Sequence, residues 1–134
     1  MNPARPADAG YAAGRRRKSI QFLTAAEIIM ELADDGTDIG DAYVTLCVHA
    51  GIAAADAMCA HHLGQHNSGE NHHEAVALLK RVHPEGRALA TDLSQLLSLK
   101  TRAGYTHRPV TAQDRCTAGR RAERLVDAAR SLPL

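Results

Sequence analysis

Apolar side chains recur along this chain at the three- and four-residue spacing that is typical of α-helices. The longest such pattern predicts a helix over about residues 38–63, whose apolar face carries Val44, Cys47, Val48, Gly51, Ala55 and Met58. Further alanines widen this face, so neighbouring helices are expected to surround the central helix on most sides. A separate polar stripe carries Thr45, His49 and Asp56, which line either a groove or an exposed edge.

Four more helices are predicted around the central one. Their expected bounds are about 18–34, 71–82, 84 to 101 or 105, and 112–131. Thr37 or Asp38 is expected to cap the central helix and Gly64 to end it. Thr111 is expected to cap the last helix. Because no stretch alternates usefully between apolar and polar residues, no strand is predicted. The pattern therefore predicts an all-α fold, an up-and-down bundle of about five helices.

The N-terminal segment differs from the rest in composition. Prolines and glycines interrupt residues 1–17, which show no apolar periodicity. This composition predicts a flexible, basic tail, followed by one helical domain over residues 18–134. The run Arg15-Arg16-Arg17-Lys18 either contacts a phosphate backbone or forms the solvated start of a helix, and the second interpretation is favoured.

Composition and charge narrow the class of protein. The chain has 134 residues, the size of one domain, and only 3% of them are aromatic. The core must therefore consist of alanine and aliphatic side chains, which allow helices to approach closely. With a net charge of +1, the chain has no global attraction for nucleic acid, so RNA would have to bind a local patch. No run of apolar residues is long enough to predict a membrane span.

Cysteine usage indicates the redox compartment. Cys47, Cys59 and Cys116 are odd in number and far apart along the chain. They are predicted to be reduced, buried thiols of a cytoplasmic protein. The basic N-terminal run resembles the start of an export signal, but Glu27 and Glu31 interrupt the apolar residues that follow it.

An arginine and a histidine follow the apolar pattern of the fourth helix. Arg102 and His107 lie five positions apart. An arginine holds a phosphate and a histidine moves protons, so this pair suffices for phosphodiester chemistry without a metal. On an unbroken helix, the five-residue offset places the two side chains about 140° apart around the axis. Their convergence requires either a helix end at Gly104 or a cleft shared by two copies in a symmetric dimer.

Further substrate-binding candidates lie near this pair or on the polar stripe. In one interpretation, Tyr105 stacks on a base or hydrogen-bonds a phosphate. In the other, its ring packs over the end of the bundle and its hydroxyl group is in water. Lys100 precedes it on the same helix, and His49 and Asp56 belong to the stripe of the central helix.

Histidines surround a polar loop that is predicted over residues 64–71. His62, His66 and His73 offer three imidazoles for zinc if the helix continues past Gly64. No Cys-x2-Cys or His-Glu-x-x-His motif accompanies them, so no metal and no cofactor is predicted. A metal-binding loop is kept as a third alternative.

Three segments of the chain resemble the HEPN superfamily, the helical domains of prokaryotic toxins and RNA-processing systems. They are VHAGIAAADA (48–57), GENHHEAV (69–76) and LKTRAGY (99–105), and the similarity covers about residues 18–131. The resemblance implies a HEPN-like homodimer with a metal-independent Arg-x4-6-His ribonuclease site at its interface. It also implies that Arg102 binds the scissile phosphate and that His107 assists attack by the ribose 2′-hydroxyl.

The chain departs from active members of that superfamily at two positions. Ala103 stands where a polar residue, often asparagine, usually follows the arginine, and Pro109 stands where toxins silenced by nucleotidylation carry a tyrosine. Two functions are therefore considered. One is a toxin-type endoribonuclease that uses Arg102 and His107, with a nucleotidyltransferase as its antitoxin. The other is a non-catalytic helical module that binds a nucleotidyltransferase or another protein.

Overall fold

A computed structural model of the chain describes residues 4–68 and 71–134. The helices in these ranges are α1 (Ala9–Leu32), α2 (Gly40–Leu63), α3 (His72–Leu79), α4 (Gly86–Tyr105) and α5 (Ala112–Arg130). Two short strands, β1 (Ala4–Pro6) and β2 (Gln65–Asn67), pair in antiparallel register with Arg5 opposite His66. The predicted all-α bundle of five helices is confirmed.

The core is built around α2. Helices α1, α4 and α5 pack around it, and the predicted apolar face is buried, with Val44 and Cys47 at 0% exposure. Gly51 lies where α2 meets α4 and α5, and a Cβ at this position would collide with Leu96 and approach Leu125 within 3.2 Å. Helices therefore come close together at a residue without a side chain, as the small-residue composition predicted.

By length and composition alone, α2 is a candidate membrane-crossing helix. It has 24 residues, and 61% of its most apolar window is buried inside the bundle. A helix that its neighbours cover in this way is the core helix of a helical domain.

The N-terminal prediction needs correction. Asp8 caps α1 by accepting a hydrogen bond from the backbone N–H of Tyr11 at 2.8 Å, so the helix begins at Ala9. The predicted tail over residues 1–17 is therefore wrong for residues 4–6, which form β1, and for residues 9–17, which form the first turns of α1. Gly10 and Gly14 weaken the local helical pattern, and packing of α1 against α2 overrides that weakness.

The expectation of no strand is also wrong. Residues 65–67, predicted as part of a loop, form β2 and pair with β1 from the N-terminal end of the chain. Three residues are too few to show an alternating pattern, so this pairing leaves no signal in either segment. Gly69 and Glu70, which belong to the second HEPN-like segment, lie outside the described residues.

The predicted helix ends are partly confirmed. Gly64 ends α2 in the left-handed conformation at φ 65°. Neither Thr37 nor Asp38 caps α2, because Ile39 occupies that position without a side-chain hydrogen bond. Thr37 instead donates its hydroxyl hydrogen to the Asp34 carboxylate at 2.6 Å, within the turn that follows α1.

The cysteine prediction is confirmed at two positions out of three. Cys47 and Cys59 are buried, and burial raises the pKa of the first thiol to about 11 and of the second to about 12. Cys116 is exposed on the outer face of α5, so the prediction of a buried thiol there is wrong. The face of α5 that points to solvent depends on how α5 packs against α2 and α4. The residue type alone does not specify this packing.

Thr111 and Asp114 form a reciprocal cap at the start of α5. We expect this cap to contribute measurably to the free energy of unfolding. The Thr111 hydroxyl accepts from the Asp114 N–H at 3.0 Å, and the Asp114 carboxylate accepts from the Thr111 N–H at 2.9 Å. Thr111→Ala is expected to lower the free energy of unfolding by about 1 kcal/mol in urea denaturation. Thr91→Ala, at an exposed position inside α4, is the control, and an equal effect of both substitutions would contradict a special role for the cap.

The cap also has a pH dependence of defined sign. Hydrogen bonds hold the pKa of Asp114 below its ordinary value, and the largest cause is the bond from the Thr111 backbone. The stabilisation is therefore present at neutral pH and is lost as the pH falls through the lowered folded-state pKa.

Candidate functional site

The predicted Arg102 and His107 lie at the C-terminal end of α4. The helix continues through Gly104 and ends at Tyr105, so a helix end at Gly104 does not bring His107 back towards Arg102. His107 lies in the exposed turn between α4 and α5. A hydrogen bond of 2.9 Å from the Val110 N–H to the carboxylate of Asp41 ties this turn to α2.

Arg102 faces α5. Its guanidinium lies 3.5 Å from the carboxylate of Asp114, and its side chain is 45% exposed. Within the described part of the chain, no hydrogen bond or ion pair joins Arg102 to His107. The structure therefore gives each of the two side chains its own setting, Arg102 beside Asp114 and His107 in the exposed turn, with no direct bond between them in the described residues.

Tyr105 is exposed to solvent beside these cations. Its side chain is 76% exposed, so it does not plug the end of the bundle. Lys100, Arg102 and Arg108 lie within the same short segment. An accessible aromatic ring among cationic side chains is an arrangement that single-stranded nucleic acid binds.

A cavity of about 520 Å³ opens between α3 and the C-terminal half of α4. Its lining residues are Asn71, His72, His73, Val76, Ser94, Leu97, Ser98, Lys100, Thr101 and Tyr105. Two predicted substrate-binding residues, Lys100 and Tyr105, thus line the same cavity. The structure adds His72, whose Nε2 lies 2.8 Å from the Nζ atom of Lys100.

The contact between Lys100 and His72 fixes the protonation of the imidazole. A lysine ammonium only donates, so Nε2 of His72 accepts and the ring is neutral. Burial, and then the charge of Lys100, lower the pKa of His72. His49 lies against Phe22, with 5.8 Å between ring centroids, and burial followed by the charges of Lys100 and Arg15 lowers its pKa as well. Both imidazoles are therefore held towards the neutral form.

Removal of the lysine charge is expected to raise both imidazole pKa values. Lys100→Gln takes away a positive charge that disfavours the imidazolium of His72 and of His49. Because burial is the larger cause and persists, each pKa should return only part of the way to its ordinary value. NMR titration of the imidazole resonances measures this, with Lys80→Gln at the far end of α3 as the control. A His72 pKa that is unchanged in Lys100→Gln would contradict the contact.

Asp56 belongs to a different cluster. Its carboxylate accepts from Nε of Arg15 at 3.0 Å, and Tyr11, which also contacts it, stacks on His66 with 4.2 Å between ring centroids. Burial raises the pKa of Asp56 although Arg15 opposes that shift. Burial and the charge of Asp56 raise the pKa of Tyr11 to about 12. Asp56 therefore ties the N-terminal part of α1 to α2 and β2, apart from the cluster at Arg102.

The sequence contained weak signals for the side chains that it missed. Tyr11 and Arg15 have the four-residue spacing of one helix face, which would have linked them once α1 was extended to Ala9. The pairing of Lys100 with His72 joins residues 28 positions apart. No local pattern predicts such a contact, because it depends on how α3 packs against α4.

The histidine-rich loop does not converge on one point. His61 and His62 contact each other edge to face at 4.9 Å, whereas His66 stacks on Tyr11. Among the residues in the two described ranges, no group of three or more His, Cys, Asp or Glu side chains is arranged to hold a metal ion.

The fold and the site define the chain as a helical-bundle protein with an aromatic and cationic surface at the end of α4. No family model matches the chain, and no curated protein matches it.

Proposed function

We propose that this chain is a cytoplasmic RNA-binding protein of the HEPN type, which acts as a homodimer and cleaves RNA without a metal ion. The observation that supports this most strongly is Tyr105, 76% exposed beside Lys100 and Arg102 at the end of α4. The ring offers a stacking surface for a base, and the cations offer contacts for phosphates.

In this proposal a second copy completes the site, since Arg102 is turned towards Asp114 and no bond joins it to His107 in the described residues. Exposed apolar side chains lie at the same end of the bundle, where α1 carries Ile28 at 49% and Leu32 at 80% exposure. Such side chains favour contact with another protein surface. In a twofold dimer, Arg102 of one copy and His107 of the other are able to face the same phosphate.

The proposed reaction needs only these two side chains and the RNA itself. His107 takes the proton of a ribose 2′-hydroxyl, and the 2′-oxygen forms a bond to phosphorus. The bond from phosphorus to the 5′-oxygen of the next nucleotide breaks, and that oxygen takes a proton from solvent. Arg102 stabilises the negative charge on the phosphate. The products are a 2′,3′-cyclic phosphate and a 5′-hydroxyl end.

The test is cleavage of single-stranded RNA by the purified full chain in excess EDTA. The proposal expects products with 2′,3′-cyclic phosphate ends, identified by mass spectrometry. Gel filtration measures the oligomeric state under the same conditions. A preparation that is dimeric and leaves RNA intact would contradict the endoribonuclease activity.

A second candidate is the non-catalytic module that docks on a protein such as a nucleotidyltransferase. The ion pair between Arg102 and Asp114 favours it, since it partly neutralises the guanidinium. Ala103, where active HEPN members carry a polar residue, favours it as well. Stoichiometric co-purification of a nucleotidyltransferase with a chain that leaves RNA intact would select this candidate over the ribonuclease.

A further inference from the structure

The cavity between α3 and α4 carries chemistry that the proposed cleavage reaction does not use. Its walls combine two apolar side chains, Val76 and Leu97, with the hydroxyl groups of Ser94, Ser98 and Thr101. Lys100 lies on the same wall, and Tyr105 stands at its edge.

We propose that this cavity is a one-nucleotide pocket that receives a base next to the cleaved bond, while Lys100 contacts the phosphate of that nucleotide. The pocket would give the protein a base preference. This inference rests on the proposed function for its RNA substrate, but the ligand chemistry, a nucleoside phosphate, is testable without cleavage.

The size and lining of the cavity suit a base. Its volume of about 520 Å³ lies within the range of small-ligand sites. The aliphatic side chains of Val76 and Leu97 pack against the face of an aromatic ring. The hydroxyls of Ser94 and Thr101 both donate and accept hydrogen bonds at its edge, and the hydroxyl of Ser98, which donates to the Gln95 carbonyl at 2.6 Å, accepts them. Bases differ in the hydrogen-bond donors and acceptors along their edges, so this lining is able to distinguish one base from another. Contacts to phosphate alone carry no such information.

The charge of the cavity suits a phosphate. The ammonium of Lys100 has three N–H donors, and the bond to His72 uses one of them. In the ranges that the structure describes, no carboxylate forms an ion pair with Lys100. His72 is neutral, so it orients the ammonium without cancelling its charge.

The position of the pocket suits the path of an RNA strand. Lys100 and Arg102 are two residues apart on α4, which places their side chains about 160° apart around the helix axis, whereas Tyr105, three residues after Arg102, lies about 60° from it and also lines the cavity. A strand whose scissile phosphate lies at Arg102 therefore reaches the cavity with its adjacent nucleotide by crossing Tyr105, which lies between Arg102 and Lys100 around the helix axis.

The experiment uses ligands that the protein cannot cleave. Binding of 2′-O-methyl RNA homopolymers is measured by fluorescence anisotropy, and binding of the four nucleoside monophosphates is measured by amide chemical shifts in NMR. Ser98→Trp fills the pocket from an exposed position on α4, and Gln95→Trp, exposed on the same helix but outside the cavity, is its matched control. Lys100→Ala removes the phosphate contact, and Lys80→Ala is its charge-matched control.

The inference expects unequal affinity among the four homopolymers for the unmodified chain. Ser98→Trp should abolish that preference, and Lys100→Ala should weaken binding of all four by about tenfold, the size expected for a charged hydrogen bond. Both controls should bind like the unmodified chain. If Ser98→Trp keeps the preference, or if Lys100→Ala binds normally, the pocket is overturned while RNA binding stands.

Failure of the proposed function gives a different result. One possible result is that the unmodified chain does not bind RNA, whereas a monophosphate shifts the amide signals of residues 94–101 and Lys100→Ala abolishes those shifts. This result would support the pocket and contradict the RNA function. If neither RNA nor any monophosphate binds, both proposals are overturned. Circular dichroism of each variant establishes that it is folded.

Discussion

Alanine at Arg102 or at His107 is expected to lower the rate of RNA cleavage by about 10²-fold or more, the usual size of a general acid–base contribution. The first substitution removes the group that holds the phosphate, and the second removes the proton acceptor. The measurement is the single-turnover rate in excess EDTA. Neither substitution should unfold the bundle, since the Arg102 side chain is 45% exposed and His107 lies in an exposed turn.

Matched variants separate this effect from a general loss of positive charge. The Arg130 side chain is 48% exposed and pairs with Asp127 at 3.9 Å, so Arg130→Ala removes an arginine in nearly the same setting at the other end of the bundle. His61→Ala does the same for an exposed histidine. Both controls should cleave at the normal rate. If Arg102→Ala and His107→Ala also cleave normally, these residues have no part in the mechanism.

A mixing experiment tests whether the two side chains come from different copies. Arg102→Ala and His107→Ala chains are unfolded together, refolded to allow exchange, and assayed. If each site uses Arg102 of one copy and His107 of the other, a mixed dimer contains one intact site and recovers part of the activity. If each site lies within one copy, the mixture remains as inactive as either variant alone.

Gly86→Ala is expected to have the largest effect on stability, a loss of about 3 kcal/mol in the free energy of unfolding, at the upper end for overpacking. Gly86 is the first residue of α4 and is buried. A Cβ there would collide with the carbonyl oxygen of Leu79 and approach that of Lys80 within 3.1 Å. Backbone atoms cannot rotate aside as side chains do, so the contact between α3 and α4 must open. Urea denaturation measures the loss.

Gly104→Ala in the same helix is the control, and the opposite sign is expected for it. The nearest atom to its added Cβ is the hydroxyl oxygen of Thr45, at 3.9 Å. Alanine favours the helix over glycine by about 0.5–1 kcal/mol, so this variant should be slightly more stable than the unmodified chain. Equal stabilities of the two variants would contradict the close approach of α3 to α4.

Local patterns were sufficient to predict much of the fold. The apolar spacing of α2, the glycine that ends it at Gly64 and the Thr111 cap of α5 all involve residues within one or two turns of each other. Interactions of that kind depend on helix geometry alone. The same patterns predicted that Lys100, Arg102 and Tyr105 lie within two turns of one helix, as they do in α4.

Other features depended on which faces meet in three dimensions. Two of these features join segments that are distant in sequence, namely the pairing of β1 with β2 and the contact of Lys100 with His72. The third is the start of α1 at Ala9, which the packing of α1 against α2 stabilises. The turn of Arg102 towards Asp114, and the exposure of Cys116, follow from the docking of α5. By itself the sequence determined where helices form and which side chains they carry. The tertiary structure decided which of those side chains share a surface, because packing between helices selects one set of contacting faces from many that local periodicity allows.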